Sequence, residues 1–406
     1  VTTSVERKAP PSGIIPLLAC LHCFAALTTD MYLPALPLLE GVFHTTTAEV
    51  QRTLTAFFLG FSFGQTLWGP ITDRFGRRPP LYFSTLMFVA ASVGCAVTTS
   101  IGVMSVLRVF QAVGACGGAV IARAMIRDMF PPEETRRAFS TLIGLNAVAP
   151  AVAPLIGGVL LTWFGWQSIF WTLALVGLAG LSIAYFVLPE TLPVALRQPL
   201  HVGHVLRSYG GLLCDRTFLG SSLAAGLGSA GMFAYIAGSP FVFMKLHGVS
   251  PRDFGWIFGI NAVGIMAGSY ANSRYLNGFS ADRLLKSANL LQFGAGLALV
   301  VAAKTGWGGV PALWIPLFLY VASIGVSFPN GSAIALAGHA RIAGIASALL
   351  GTNQFGLATF STAILSSIPN TTAMPMAAVI CACGALAALI NFTLLRNTAH
   401  RPPLVS

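Results

Sequence analysis

Long apolar runs, interrupted at short intervals by clusters of Arg, Asp, Pro and Gly, organise this chain. Leu81 to Leu107, Ala138 to Val187 and Ile342 to Ile368 contain no Asp, Glu, Lys or Arg. Each is long enough for the roughly 20 residues that a helix needs to cross a bilayer. Breaking the pattern at charged and Pro/Gly clusters predicts spans near 14–38, 50–71, 80–99, 101–125, 137–161, 166–188, 217–243, 253–275, 284–303, 311–330, 342–367 and 374–395, twelve in all. The longest polar interruption, Pro189 to Asp215, follows the sixth. The expected organisation is therefore a six-helix bundle over 1–188, a linker over 189–215 and a second six-helix bundle over 216–406. The fold class is an all-α membrane protein, with the two bundles around a central cavity as in transporters built from repeats.

Composition removes the soluble alternatives. Hydrophobic residues make up 55% of the 406 and charged residues 9%, against roughly 25% charged in soluble domains. Arg7 and Lys8 ahead of Ile14 to Leu39 imitate a signal peptide, but the apolar stretch is too long and lacks a small-residue cleavage site. It reads as the first span. The seven cysteines, Cys20, Cys23, Cys95, Cys116, Cys214, Cys381 and Cys383, lie within or at the ends of apolar segments. No His and Cys at metal-ligand spacing accompany them, so they read as small packing residues and no metal is expected. The Cys20-x-x-Cys23 pair lacks the strand and helix setting of a redox motif.

Charge orients the spans. With both termini in the cytoplasm, eighteen Lys and Arg residues fall on the cytoplasmic side, among them Arg7, Lys8, Arg123, Arg136, Arg341, Arg396 and Arg401. Only Arg52, Lys245, Arg252 and Lys304 fall on the other. This is the positive-inside bias of a multi-pass protein of a bacterial inner membrane. It also explains the net charge of +11 without nucleic acid, since a DNA-binding surface would gather its charges on one soluble face. Glycines recur four residues apart at Gly60 and Gly64, Gly255 and Gly259, and Gly264 and Gly268, a spacing that lets helix backbones approach closely in lipid.

Two charges remain deep in the membrane, Asp30 in span 1 and Arg108 in span 4. A charge in hydrocarbon costs at least ~2.5 kcal/mol, so both are functional candidates. Asp30 lies roughly 24 Å from the cytoplasmic start of its helix and Arg108 roughly 10 Å from the periplasmic start of its own. Both are expected in the periplasmic half, sharing one cavity. One reading is a static ion pair holding spans 1 and 4 together. The other is a proton site, because the protonation of a carboxylate there depends on whether the cavity is wet, dry or filled. The Arg108 guanidinium keeps its proton, so Asp30 is the titrating member, and Gln111, three residues on, reaches either partner. One acid and one base suit neutral or zwitterionic amphiphiles. The cavity wall is expected from Tyr32, Phe58, Phe61, Asn146, Phe233, Tyr235, Asn261, Asn353 and Gln354, polar or aromatic residues within spans.

The loop after span 2 reads Gly69-Pro70-Ile71-Thr72-Asp73-Arg74-Phe75-Gly76-Arg77-Arg78-Pro79 and resembles the signature loop of the major facilitator superfamily. It predicts a tight turn at Gly76, Asp73 facing a helix N-terminus such as that of span 11, and arginines paired with Asp128. Such contacts would latch the two halves on the cytoplasmic side and favour an outward-open state. Arg108-Val109-Phe110-Gln111-Ala112-Val113-Gly114 resembles the span 4 proton-coupling motif of that superfamily. Ala149-Pro150-Ala151-Val152-Ala153-Pro154-Leu155-Ile156-Gly157-Gly158 resembles its antiporter motif, with Ala-Pro in place of the usual Gly-Pro. Asp30 to Pro37, Trp166 to Trp171 and Pro189 to Pro193 are similar to the drug:proton antiporters that include the bicyclomycin and chloramphenicol resistance proteins. The second-half counterpart of the signature loop, Asn277 to Lys286, is degenerate.

The resemblance implies a major facilitator fold with twelve helices. It implies proton-coupled efflux of small amphiphilic drugs such as amphenicols or bicyclomycin-like antibiotics, with coupling roles for Asp30 and Arg108. The alternative is export of a native metabolite, such as a sugar or another small product, on the same fold. No Gly-x-Ser-x-Gly, intramembrane carboxylate cluster or metal motif points to an enzyme, and His22 reads as a packing or hydrogen-bonded residue. No cofactor is expected. Partners are drug molecules, protons and membrane lipid, and the protein is expected to act as a monomer.

Overall fold

A computed structural model describes residues 13–197, 202–276, 278–339, 342–369 and 371–395. Arg7, Lys8, Asn277, Arg341, Arg396 and Arg401 lie outside them, as does the Arg136 side chain. The first rod is broken into α1 (Ile14–His22), α2 (Phe24–Asp30), a 3-10 turn over Leu33–Ala35 and α3 (Leu36–Val42), with a 43° bend after His22. Pro34 and Pro37 contribute no backbone N–H, which prevents α2 from running on regularly into α3. Then come α4 (Thr47–Phe75), α5 (Arg78–Val97), α6 (Ile101–Met129), α7 (Pro132–Phe164) and α8 (Gln167–Val187).

The interruption that follows contains a helix of its own, α9 (Val202–Cys214). Tyr209 and Leu212 dock it on Phe218, Ala335 and Leu349. The second bundle comprises α10 (Arg216–Pro240), continued by a π-helical turn over Phe241–Leu246, then α11 (Pro251–Arg274), α12 (Ala281–Thr305), α13 (Gly309–Leu336), α14 (Ala343–Ser367) and α15 (Met374–Thr393). Thr46, Ser100, Asp215, Ser250 and Ser280 cap the starts of α4, α6, α10, α11 and α12 by accepting backbone N–H bonds.

Counting the broken first rod and leaving aside α9 of the linker, the described residues form the twelve rods expected of the major facilitator fold, in two six-helix bundles. By length and composition nine helices suffice to cross a membrane, ten with the bent first rod. The two that fall short are α4 and α14. They carry Gln51, Gln65, Asp73, Asn353 and Gln354, and they face each other across the middle of the molecule. The amides among them face protein partners or the central cavity and not lipid, so α4 and α14 need less apolar surface than the outer rods.

The glycine pairs sit at close helix crossings. A Cβ on Gly60 would lie 2.4 Å from the Val109 carbonyl of α6, and one on Gly268 would lie 2.2 Å from the Ala322 carbonyl of α13. Gly255 and Gly259 face Leu155 and Ala151, which puts them on the seam between the bundles where α11 meets α7.

That seam is closed at one end only. At the end bearing few arginines, Gln51 Nε2 donates to the Ala237 carbonyl at 3.2 Å, and Thr55 Oγ1 donates to Thr362 Oγ1 at 3.0 Å. Lys245 Nζ pairs with Glu40 at 2.5 Å. Ser62 Oγ donates to the Thr352 carbonyl at 2.9 Å, near the middle of α4. One turn further, a Cβ on Gly351 of α14 would still lie 2.9 Å from Gln65 of α4; past that contact the bundles part, and a Cβ on Gly69, Gly144 or Gly344 would meet open space. The molecule opens at its arginine-rich end.

Candidate functional site

The opening leads into a cavity of about 450 Å³, walled by α1, α2, α4, α6 and α7 from one bundle and by α10, α11, α13 and α14 from the other. Drug-sized ligands occupy sites of ≈ 300–1,000 Å³. Of the residues expected on a cavity wall, Phe58, Phe61, Asn146, Phe233, Tyr235, Asn261 and Gln354 line it. Phe58 and Phe61 of α4 meet Phe233 of α10 and Phe355 of α14 with ring centroids 4.4–6.4 Å apart, forming an aromatic patch that joins the bundles. Asn261 is fixed by donating to the Tyr235 hydroxyl at 2.8 Å and accepting from Trp314 Nε1 at 3.0 Å. Gln354 donates to Ser229 Oγ at 3.4 Å.

Two expected wall residues stand behind the surface. Asn353 points into the α10–α14 crossing and donates to Ser222 Oγ at 2.9 Å. One helical position separates it from Gln354, and a rotation of ~100° per residue turns it from the cavity. Tyr32 is fully buried, with its hydroxyl 3.0 Å from Thr53 Oγ1.

Asp30 ends α2 and faces the cavity at 4% exposure, with no ion pair among the described residues. Arg108, expected beside it, does not line the cavity. It is fully buried in the first bundle, with its guanidinium carbon 4.7 Å from the Tyr32 ring centroid and 4.5 Å from that of Phe57. Its Nη1 donates to the Thr28 carbonyl at 3.3 Å and to Gln111 Oε1 at 2.8 Å, while Nε and Nη2 have no protein partner. Gln111 in turn donates to Ser92 Oγ at 2.8 Å. Arg108 thus grips the turn that presents Asp30 from behind, two residues to either side, instead of pairing with the carboxylate. Cation–π contacts with the Tyr32 and Phe57 rings stand where an ion pair was expected.

The cavity's cation is instead Arg123, assigned from the sequence to a helix end. It lines the wall together with His22. Its signal was its position, six residues inside the end of α6 and so ~9 Å from it.

At the arginine-rich end, the signature loop is a compact charged knot. Gly76 takes φ 88°, and a Cβ there would lie 2.6 Å from Glu190 Oε2. Arg77 is buried, with Nη1 2.7 Å from Asp73, Nε 2.8 Å from Asp128 Oδ2, and a further donation to Thr72. Burial pushes the guanidinium pKa down, but Asp128 and Asp73 outweigh that and hold it above its ordinary value. Arg78 donates to the Tyr82 hydroxyl at 2.6 Å, and Arg74 lies over the Phe75 ring. Glu190 accepts backbone N–H bonds from Arg77, Arg78 and Leu192.

Every one of these partners belongs to the first bundle or to the start of the linker, and none to the second bundle. The expected latch from this loop to span 11 is not made in this conformation, because α4 and α14 have diverged there and Asp73 turns back to Arg77. Among the described residues, the charged contact between the bundles is Lys245–Glu40 at the opposite end. The cysteines are free, and Cys214 is exposed at the end of α9 instead of packed.

The profile of the Major Facilitator Superfamily matches residues 18–363. The chain is 34% identical over 383 residues to the uncharacterized MFS-type transporter YdgK of Bacillus subtilis, covering 94% of this chain and 95% of that one. It is 30% identical to a bicyclomycin resistance protein homolog of Haemophilus influenzae, covering 95% and 96%. It is 31% identical to a chloramphenicol resistance protein of Pseudomonas aeruginosa, covering 90% and 86%. Among solved structures, an inward-facing, unoccupied bacterial homolog of the lysosomal transporter Spinster superposes with a TM-score of 0.76 at 16% identity, covering 97% and 98%. At that identity the likeness concerns the fold.

Proposed function

Because the chain belongs to the major facilitator superfamily, we propose that it exports small neutral or zwitterionic amphiphiles, such as amphenicol or bicyclomycin-like antibiotics, in exchange for protons. The observation that carries this reading is Asp30, the one carboxylate on the cavity wall among the described residues. Support for drugs as cargo comes from the resistance proteins it is similar to and from a mainly apolar, drug-sized cavity that carries an aromatic patch.

The positive-inside bias puts the arginine-rich end and both termini in the cytoplasm of a bacterial inner membrane, so this conformation is open inward. Cargo arriving from the cytoplasm settles on the aromatic patch and displaces the Asp30 proton inward. The bundles, about 1–188 and 216–406 on either side of the linker, then rock about the seam of α4 with α14 and α7 with α11. In the outward-open state a periplasmic proton returns to Asp30 and releases the cargo. One chain supplies the whole cavity wall, which suits a monomer, and no covalent step is required.

The test is proton release from purified protein in weakly buffered detergent, read with a pH dye as a panel of amphenicols and other amphiphiles is added. Wild type releases up to about one proton per bound drug, and Asp30→Asn binds the drug but releases none. Binding without proton change in either protein removes Asp30 from coupling. Dications emerging as the tightest ligands would contradict the preference for neutral or zwitterionic cargo.

A further inference from the structure

We propose that Arg123, with His22 beside it, forms an anion subsite in the cavity, so that preferred cargo carries a carboxylate or similar anionic group at one pole and a cationic or hydrogen-bonding group toward Asp30 at the other. This rests on the export reading above and narrows its substrate class.

Arg123 and His22 come from different rods and converge on one point. Arg123 Nε donates to the Ala119 carbonyl at 3.2 Å, and His22 Nδ1 lies 3.4 Å from the same oxygen. Arg123 Nη2 reaches Gln65 Oε1 at 3.4 Å. Both acceptors are neutral, both distances are long, and no carboxylate lies within ion-pair distance of Arg123 among the described residues. A guanidinium has five donors, so Arg123 retains donors for a ligand on the wall it shares with His22 and Gln65. An unpaired cation in a cavity at membrane depth is costly, and an arriving anion relieves that cost.

Arg108 is also unpaired, but the rings of Tyr32 and Phe57 cover it and it has no place on the cavity wall. Arg123 is the accessible one. His22 and Asp30 are eight residues apart on a bent rod, about 12 Å along its axis, a spacing on the scale of a drug-sized molecule. The aromatic patch of Phe58, Phe61, Phe233 and Phe355 supplies an apolar wall in the same cavity. The cationic pole stands nearer the cytoplasmic mouth, where it meets incoming cargo first.

The experiment is equilibrium binding by scintillation proximity with three labelled probes: a zwitterionic fluoroquinolone, its methyl ester, and chloramphenicol as a neutral reference. Wild type binds the acid at least about tenfold tighter than the ester, the range of a charge-assisted hydrogen bond. Arg123→Gln loses that preference and keeps its affinity for the ester and chloramphenicol, while Arg123→Lys recovers part of it. His22→Gln gives a smaller loss, again confined to the acid.

Equal binding of acid and ester by wild type overturns the subsite and leaves drug binding intact. So does an Arg123→Gln protein that weakens all three probes alike, which is the signature of a merely structural arginine. Absence of binding by all three removes the export reading itself, and the subsite with it.

Discussion

An Arg108→Met protein unfolds in detergent at or above the wild-type temperature, yet its drug export in vesicles falls to the level of empty vesicles. Arg108 is fully buried with no carboxylate at its side, and two of its nitrogens lack protein partners. Burying a charge this way costs several kcal/mol, of which each ring contact at Tyr32 and Phe57 returns a part, about 2 kcal/mol. Methionine keeps the apolar stem and offers sulfur to the same two rings. Replacing buried ionic groups with apolar ones is often neutral or stabilising, by about 1–4 kcal/mol.

Transport is lost for a separate reason. Nη1 holds the Thr28 carbonyl and the guanidinium covers Tyr32, so the two flanks of Asp30 and the fixed positive charge behind it disappear together. Melting curves alongside vesicle transport make the comparison. A variant that melts many degrees lower marks Arg108 as structural, and one that transports normally removes it from coupling.

The second large effect is expected at the loop knot. Arg77→Ala lowers stability by about 2–3 kcal/mol, because it strands Asp128, whose side chain is only 20% exposed, without its cation. The Asp73 contact adds little, since that carboxylate is 55% exposed and screened by solvent. Arg77→Lys keeps a charge but not the fork that reaches Asp73 and both Asp128 oxygens, so it recovers only part of the loss. Arg77→Ala combined with Asp128→Ala is more stable than Arg77→Ala alone, as a double-mutant cycle of melting temperatures would show. Additive losses instead would mean that Arg77 and Asp128 do not act as a pair.

Much of the fold was legible because lipid leaves a chain few choices. A backbone without water must satisfy its own hydrogen bonds, so apolar runs of sufficient length become helices whatever surrounds them. The aromatic and amide positions Phe58, Phe61, Asn146, Phe233, Tyr235, Asn261 and Gln354 were readable on the same ground, since polar or bulky residues deep in spans tend to face protein. The break in the first rod was only half visible. Pro34 and Pro37 announced irregularity, but the bend after His22 carries no proline at its centre.

What the sequence determined by itself was the number of rods, the arginine asymmetry between their ends, the turn at Gly76 and the identity of Asp30 as a carboxylate at membrane depth. These follow from composition along a single helix or loop. Which arginine reaches the cavity was decided only by tertiary structure. Arg108 and Arg123 lie on one helix, about four turns and 60° of rotation apart. The neighbours of α6 seal Arg108 behind Tyr32 and Phe57 and leave Arg123 on the wall with His22. The open end was likewise a property of the packed molecule. It depends on where α4 leaves α14, and a helix's own sequence does not record the distance to a partner some 290 residues away.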